Sequence, residues 1–247
     1  MAPRVAIIGL ASDFGCQVQM TNMEDHLLDV LGLMDVVYWQ LTSSGHLPDE
    51  YDVAVIEGAA TTGEHIETLR KVRETAAVVI ALGTCAVTGG IPALAGTLDY
   101  DARYGVVYGD GIAVARGRQV PVPVTSVIAV DYQVPGCPID PAEFVKVLSR
   151  ALMGLKDAIP VDPMCAICKT EENICFLDQG KACLGLVTRT GCGAKCVSLS
   201  RPCTGCRGLS PEANLPAARR VYADKGLDPA ELDRLFDLYN AAREVVL

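Results

Sequence analysis

The sequence predicts an α/β chain, a doubly wound parallel sheet followed by a loop-rich, cysteine-rich segment with C-terminal helices. Three observations carry this. Short Ile- and Val-rich runs alternate with amphipathic stretches over residues 1–157, as strands and helices do around a parallel sheet. Of eleven cysteines, Cys16, Cys85 and Cys137 stand alone in that region, and the other eight fall within residues 165–206. A Pro-flanked stretch, residues 157–163, separates the two compositions and places a domain boundary, giving 1–157 and 158–247. At 247 residues and 50% apolar composition, the chain suffices for one large domain or two modest ones.

The elements follow in order. Arg4–Leu10 is an apolar run suited to a strand buried on both faces. After a polar turn, Met20, Met23, Leu27, Leu28 and Leu31 lie near helical spacing. Val36–Trp39, Asp52–Ile56 and Ala77–Leu82 are strands, and charged, amphipathic Gly63–Glu74 between the last two is a helix. Val124–Val134 is a further strand region. Asp140 is an N-cap with Pro141 in the first turn, opening a helix to about Leu155. Beyond the cysteines, Ser210-Pro211-Glu212 and Leu227-Asp228-Pro229 open two helices. The second carries Leu232, Leu235, Leu238 and Tyr239 on one face, and both are expected to pack against the sheet domain.

Charge and cysteine count exclude several classes. With 21 Lys and Arg against 30 Asp and Glu, net −9, the chain has no cationic excess to neutralise nucleic-acid phosphates or an anionic membrane. No run reaches the roughly 18–20 apolar residues of a membrane span. Val5–Leu10 is too short for a secretory signal and no twin arginine precedes it. An odd cysteine count cannot complete a disulfide framework. These features point to a reducing cytoplasm, with cysteines that are metal ligands or free thiols. P-loop, GxGxxG and Gly-x-Ser-x-Gly motifs are absent, as is a histidine placed for nucleophilic catalysis, so no catalytic residue is assigned.

The lone cysteines share a position. Asp13 and Cys16 follow the first strand, Cys85 follows the strand ending at Leu82 within Gly83-Thr84-Cys85-Ala86, and Cys137 follows the last within Pro135-Gly136-Cys137-Pro138. Carboxyl ends of parallel strands line one edge, where ligands bind. Gly83, Gly89, Gly90 and Gly136 suit a backbone passing close to a bulky cofactor. In the tail, Cys165-x2-Cys168 and Cys203-x2-Cys206 bracket Cys175, Cys183, Cys192 and Cys196 with little apolar material between them. Centres that take four thiolates each must therefore contribute folding energy, and two account for all eight. Zinc and iron–sulfur cubanes both fit. Eight cysteines without histidine, beside a third site on another domain, favour clusters and electron transfer. A zinc-stabilised scaffold and an iron–sulfur carrier of another oxidoreductase are the rival readings.

Taken together, Asp13-Phe-Gly-Cys16, Glu57-Gly58, Gly83-Thr-Cys85-Ala86 with Gly89-Gly90, Pro135-Gly-Cys137-Pro138, the span Cys183–Cys192 and Arg201-Pro-Cys203-Thr-Gly-Cys206-Arg-Gly resemble the small, electron-transferring subunit of nickel–iron hydrogenases over essentially the whole chain. The branch it looks most like is cytoplasmic and passes electrons to a deazaflavin, NAD(P) or heterodisulfide reductase. The resemblance implies a flavodoxin-like domain holding a proximal 4Fe–4S cluster and a ferredoxin-like tail holding two more. It implies Asp13, Cys16, Cys85 and Cys137 as proximal ligands, with Asp13 where the family's first motif usually has cysteine. It implies Cys192, Cys196, Cys203 and Cys206 as medial ligands, and Cys165, Cys168, Cys175 and Cys183 as distal ones, although the residues alone permit exchange between neighbouring pairs. The implied partners are a large subunit holding the Ni–Fe centre, docked at an apolar face around the Asp13/Cys16 edge, and a flavin- or iron–sulfur-containing acceptor subunit.

Overall fold

The computed structural model describes residues 2–24, 27–97, 99–109, 118–156, 160 and 162–242. They form two compact units, one within residues 1–157 and 241–247, the other within 158–240. Residues 157–159, where the sequence puts its boundary, lie outside the described residues.

The first unit is built on β1 (Arg4–Gly9), β2 (Asp35–Trp39), β3 (Val53–Glu57), β5 (Val78–Leu82) and β7 (Tyr132–Val134), all parallel, in the order β2-β1-β3-β5-β7. Counting only these strands, the order is the doubly wound one of flavodoxin-like folds, whose ligand crevice opens between the first and third strands. β4 (Ala60–Thr62) and β6 (Arg118–Val122) make a separate antiparallel ribbon. The apolar runs lack polar alternation because both faces are covered. Val5, Ile7, Val53, Val55, Ile80 and Leu82 pack on one face with Phe144 and Leu148. Ala6, Ile8, Ala54, Ile56, Val79 and Ala81 pack on the other with Leu69 and Val72.

The helices of this unit are α1 (Gly15–Thr21), α2 (Leu27–Leu31), α3 (Gly63–Thr75), α4 (Gly83–Thr88), α5 (Gly90–Ala93), α6 (Tyr100–Tyr108) and α7 (Pro141–Leu152). Thr62 caps α3 by accepting from the His65 N–H at 3.2 Å. Asp140 caps α7 as expected, accepting from Ala142 and Glu143 at 3.0 and 3.2 Å. The Val124–Val134 strand is shorter than expected. Val124–Ser126 winds as a 3-10 turn whose Val124 carbonyl takes the N–H groups of Val127 and Ile128, leaving Tyr132–Val134 for the sheet.

The second unit contains α8 (Met164–Thr170), α9 (Lys195–Ser198), α10 (Leu215–Asp224) and α11 (Pro229–Asn240). Four expectations are corrected here. The cysteine segment is not core-poor, because Met164, Phe176, Leu177, Leu184 and Val187 are buried with Tyr222 of α10 and Leu232 and Phe236 of α11. The buried faces of the terminal helices thus belong to this core. α10 starts at Leu215 rather than Ser210, since Asn214 supplies the cap, accepting from Ala217 at 2.9 Å. The inward stripe of α11 is Leu232, Phe236 and Asn240, at i+4 spacing, while Leu238 is exposed. Asp228 caps α11 through the Ala230 N–H at 2.9 Å, as expected. No helix among the described residues is long and apolar enough to cross a membrane.

Candidate metal centres

Parallel pairing brings the carboxyl ends of β1, β3, β5 and β7 to one edge, and the elements that follow carry the lone cysteines. After β1 the backbone turns through Phe14, left-handed at φ 59°, into α1. This puts Cys16 in the first helical turn, buried. Gln17 pins the helix, its Oε1 accepting from Trp39 Nε1 at 3.0 Å. Cys85 lies not in a loop but in α4, which starts directly at Gly83 after β5. Cys137 follows β7 and is exposed, as is Asp13.

Two glycines explain the close approach. A Cβ on Gly83 (φ +82°) would stand 2.5 Å from Cys16 Sγ, and one on Gly90 (φ +53°) 2.9 Å from Cys85 Sγ. Only glycine fits both the backbone angle and the space. Burial, then the Glu57 carboxylate, pushes the Cys16 thiol up, while a hydrogen bond from the Ile139 backbone opposes this. Burial, then Cys137, Glu57 and Asp13, pushes the Cys85 thiol up to about 12. Burial, then Asp13 and Glu57, raises Cys137. Asp13, Cys16, Cys85 and Cys137 are therefore brought within electrostatic reach of one another. The Asp13 carboxylate also accepts from the Gly15 N–H at 2.9 Å through Oδ1.

Glu57 carries a role that sequence reasoning missed. It ends β3, is 2% exposed, and accepts the N–H groups of Cys16 at 3.0 Å and Gln17 at 3.3 Å. Burial raises its carboxyl above the usual range. It thereby anchors the start of α1 and fixes where Cys16 points. Its signal was the acid closing the otherwise apolar strand Val53-Ala-Val-Ile-Glu57.

In the second unit the thiols lie in two neighbourhoods that meet at Cys183 and Cys203. Cys165 and Cys168 lie on α8. Burial, then Cys183, Cys168 and Cys175, raises Cys165 to about 11. Cys183 Sγ accepts from the Cys203 N–H at 3.3 Å and from the Gly185 backbone. Tyr222 Oη clamps the Cys183 main chain, accepting from its N–H and donating to its carbonyl, each at 3.0 Å. The other neighbourhood, Cys192, Cys196, Cys203 and Cys206, lines a small cavity with Met164, Arg207 and others. Burial raises Cys192, opposed by the Arg207 charge and the Lys195 and Ala194 backbone N–H groups. Burial likewise raises Cys203, opposed by the Gly205 N–H.

These thiols suit ligation by a soft, multi-sulfur group. Backbone N–H groups aimed at sulfur stabilise the thiolate rather than the thiol. Burial opposes a free thiolate, so a cation must take the proton's place for the charged form to persist. Among the described residues no three His, Cys, Asp or Glu side chains close on a point that would hold a single metal ion.

Residues 14–151 match the family described as NADH ubiquinone oxidoreductase, 20 Kd subunit. The chain is 34% identical over 223 residues to sulfhydrogenase 2 subunit delta of Pyrococcus furiosus, covering 90% of this chain and 92% of that one. It is 31% identical to a chain of the F420-non-reducing hydrogenase vhu of Methanococcus voltae, covering 96% and 94%. Among solved structures, a chain of an NAD+-reducing [NiFe]-hydrogenase in the H2-reduced state superposes with a TM-score of 0.56 at 28% identity, over 65% of this chain and 96% of that one. A chain of the Ni-Fe-Se hydrogenase of Desulfomicrobium baculatum superposes at 0.60 and 17% identity, over 84% and 94%, a likeness of fold.

Proposed function

This chain belongs to the NADH ubiquinone oxidoreductase 20 Kd subunit family, among the small subunits of nickel–iron hydrogenases, and on that premise we propose that it relays electrons through three 4Fe–4S clusters. The relay runs between the Ni–Fe centre of a separate large subunit and a flavin- or iron–sulfur-containing acceptor, in the cytoplasm. The observation that carries this is the gathering of Asp13, Cys16, Cys85 and Cys137, scattered through 125 residues of sequence, at one sheet edge. When bound, such a cluster takes up and releases single electrons, with a potential set by ligand type, burial and hydrogen bonds to sulfur.

The chain's own residues then have defined work. Asp13, Cys16, Cys85 and Cys137 would hold the proximal cluster, Cys192, Cys196, Cys203 and Cys206 the medial one, and Cys165, Cys168, Cys175 and Cys183 the distal one. Buried Cys16, Cys183 and Cys203 keep water from the sulfurs. The N–H groups of Cys203, Gly185 and Gly205 orient thiolates and lower the cost of their charge. Glu57 holds the Cys16 turn in place.

Metal analysis and a relay mutant test this. In the anaerobically purified complex this chain should contribute about twelve iron and twelve sulfide, the stoichiometry of three cubanes, in addition to the iron of the Ni–Fe centre and of any acceptor clusters, together with a nickel-bearing large subunit. Cys206→Ser should slow reduction of the terminal acceptor about tenfold or more while hydrogen/deuterium exchange, which needs only the Ni–Fe centre, stays within about twofold; tenfold is about 1.4 kcal/mol. Stoichiometric zinc without labile sulfide rejects the reading in favour of a scaffold. Iron and sulfide without a nickel subunit point to a carrier of another oxidoreductase. Equal loss of both activities in an intact, nickel-loaded complex rejects the relay order.

A further inference from the structure

The cavity lined by Cys192, Cys196, Cys203 and Cys206 contains a group unlike any at the sheet edge. Arg207, the residue after Cys206, forms part of the cavity wall. It is only 1% exposed and is among the largest fully buried side chains. Its Nε–H donates to the Thr190 carbonyl at 3.1 Å. Thr190 is itself 6% exposed and tied down through its N–H to the Asp162 carbonyl at 3.0 Å. A guanidinium is charged at every relevant pH. At the sheet edge the non-sulfur groups within reach of the thiols are the carboxyl groups of Asp13 and Glu57. The wall of the tail cavity thus carries a buried cation, whereas carboxyl groups stand by the sheet-edge thiols.

We infer that Arg207 is a positioning residue for electron transfer, a fixed positive charge that raises the reduction potential of the redox centre held by Cys192, Cys196, Cys203 and Cys206. This deepens the relay reading and rests on it. The physics is Coulombic. Adding an electron makes the centre more negative, and a buried cation at the cavity wall stabilises that state more than the oxidised one. The Thr190 anchor matters because the effect depends on where the charge is held. The consequence is a higher potential at this centre than the same four thiolates would have without the buried charge.

The test is an anaerobic, EPR-monitored redox titration of the intact complex carrying wild type, Arg207→Gln, Arg207→Met or Arg207→Lys. The relevant signal is identified as the one lost in Cys206→Ser. Both neutral variants should lower its potential by at least a tenfold shift in the one-electron equilibrium, about 59 mV, and leave the sheet-edge signal within about a twofold shift. Arg207→Lys, which keeps the charge but loses the planar fork and its Nε–H anchor, should shift it several-fold in the same direction. An unchanged potential in a neutral variant with full iron overturns the inference and leaves the relay reading standing. If both neutral variants shed the centre, Arg207→Lys decides, and a potential equal to wild type overturns the anchored-charge claim. Wild-type protein without iron–sulfur signals overturns the relay reading itself.

Discussion

The sheet-edge thiols and the tail thiols are supported in opposite ways. Cys85 and Cys137 are appended to a five-stranded sheet, and of the three lone cysteines Cys16 alone joins a covered face, the one packed by Val55, Ile80 and Phe144, while Ala54, Ile56 and Leu69 fill the other face without a cysteine. In the second unit the cysteines are part of the packing. Cys168, Cys183 and Cys203 are buried in the same cluster as Leu184, Val187, Tyr222 and Phe236, and Cys203 bonds Cys183 directly. Regular ladder hydrogen bonds hold the first set in register. Turns, 3-10 segments and the Tyr222 clamp hold the second. On the proposed ligand assignment, the sheet unit is expected to tolerate an empty site better than a unit with three of its proposed ligands in its core.

The strongest way to break this contrast is to strip the iron with chelator and oxidant and follow amide exchange. Amides of Leu184, Val187 and Ser210 should exchange at least about a hundredfold faster, a loss near 2.8 kcal/mol of local stability. The β1 and β3 ladder amides should change by less than about twofold. Equal loosening of both units would show that the sheet also depends on its centre, and an unchanged tail would show that the apolar cluster suffices.

A smaller effect sharpens the contrast at the sheet edge, where Asp13 both bonds Gly15 N–H and stands three residues before Cys16. If the carboxylate also binds iron, Asp13→Cys should retain a four-iron cluster at lower potential, by on the order of a tenfold shift or about 59 mV. Asp13→Asn, which caps about equally well, should yield a three-iron form. EPR-monitored titration separates the outcomes, and unchanged proximal signals in both variants would leave Asp13 as the acceptor of the Gly15 N–H alone.

The smallest expected effect concerns the scaffold. Asp140→Ala removes the acceptor of the Ala142 and Glu143 N–H groups and should cost about 1 kcal/mol of first-unit stability. Thermal unfolding should record it while the iron content of the tail stays constant. A concurrent loss of tail iron would contradict independent support of the two units.

What the sequence determined by itself was whatever is written in consecutive residues. Strands covered on both faces read as unbroken Ile and Val runs, so β1, β3 and β5 were legible to within a residue or so. Asp140-Pro141 and Asp228-Pro229 carry their own helix starts, and clustered cysteines announce themselves by composition. The ribbon of β4 and β6 was missed because each strand is short and β6 contains Pro121, which an edge position tolerates. The start of α10 was misplaced because Ser210 and Asn214 are both competent caps, and local chemistry does not choose between them.

Tertiary structure alone decided three things. The apolar core of the tail draws Met164, Phe176, Leu184, Tyr222 and Phe236 from more than 70 residues of chain, with no period to betray it. Glu57 became an anchor for Cys16 only when β3 was laid beside β1. Arg207 became a buried charge on a cysteine-lined wall only when the loops around Thr190 and Cys203 closed over it. In each case the partners lie far apart along the chain, and what a buried polar group does depends on what folding places beside it once water is gone.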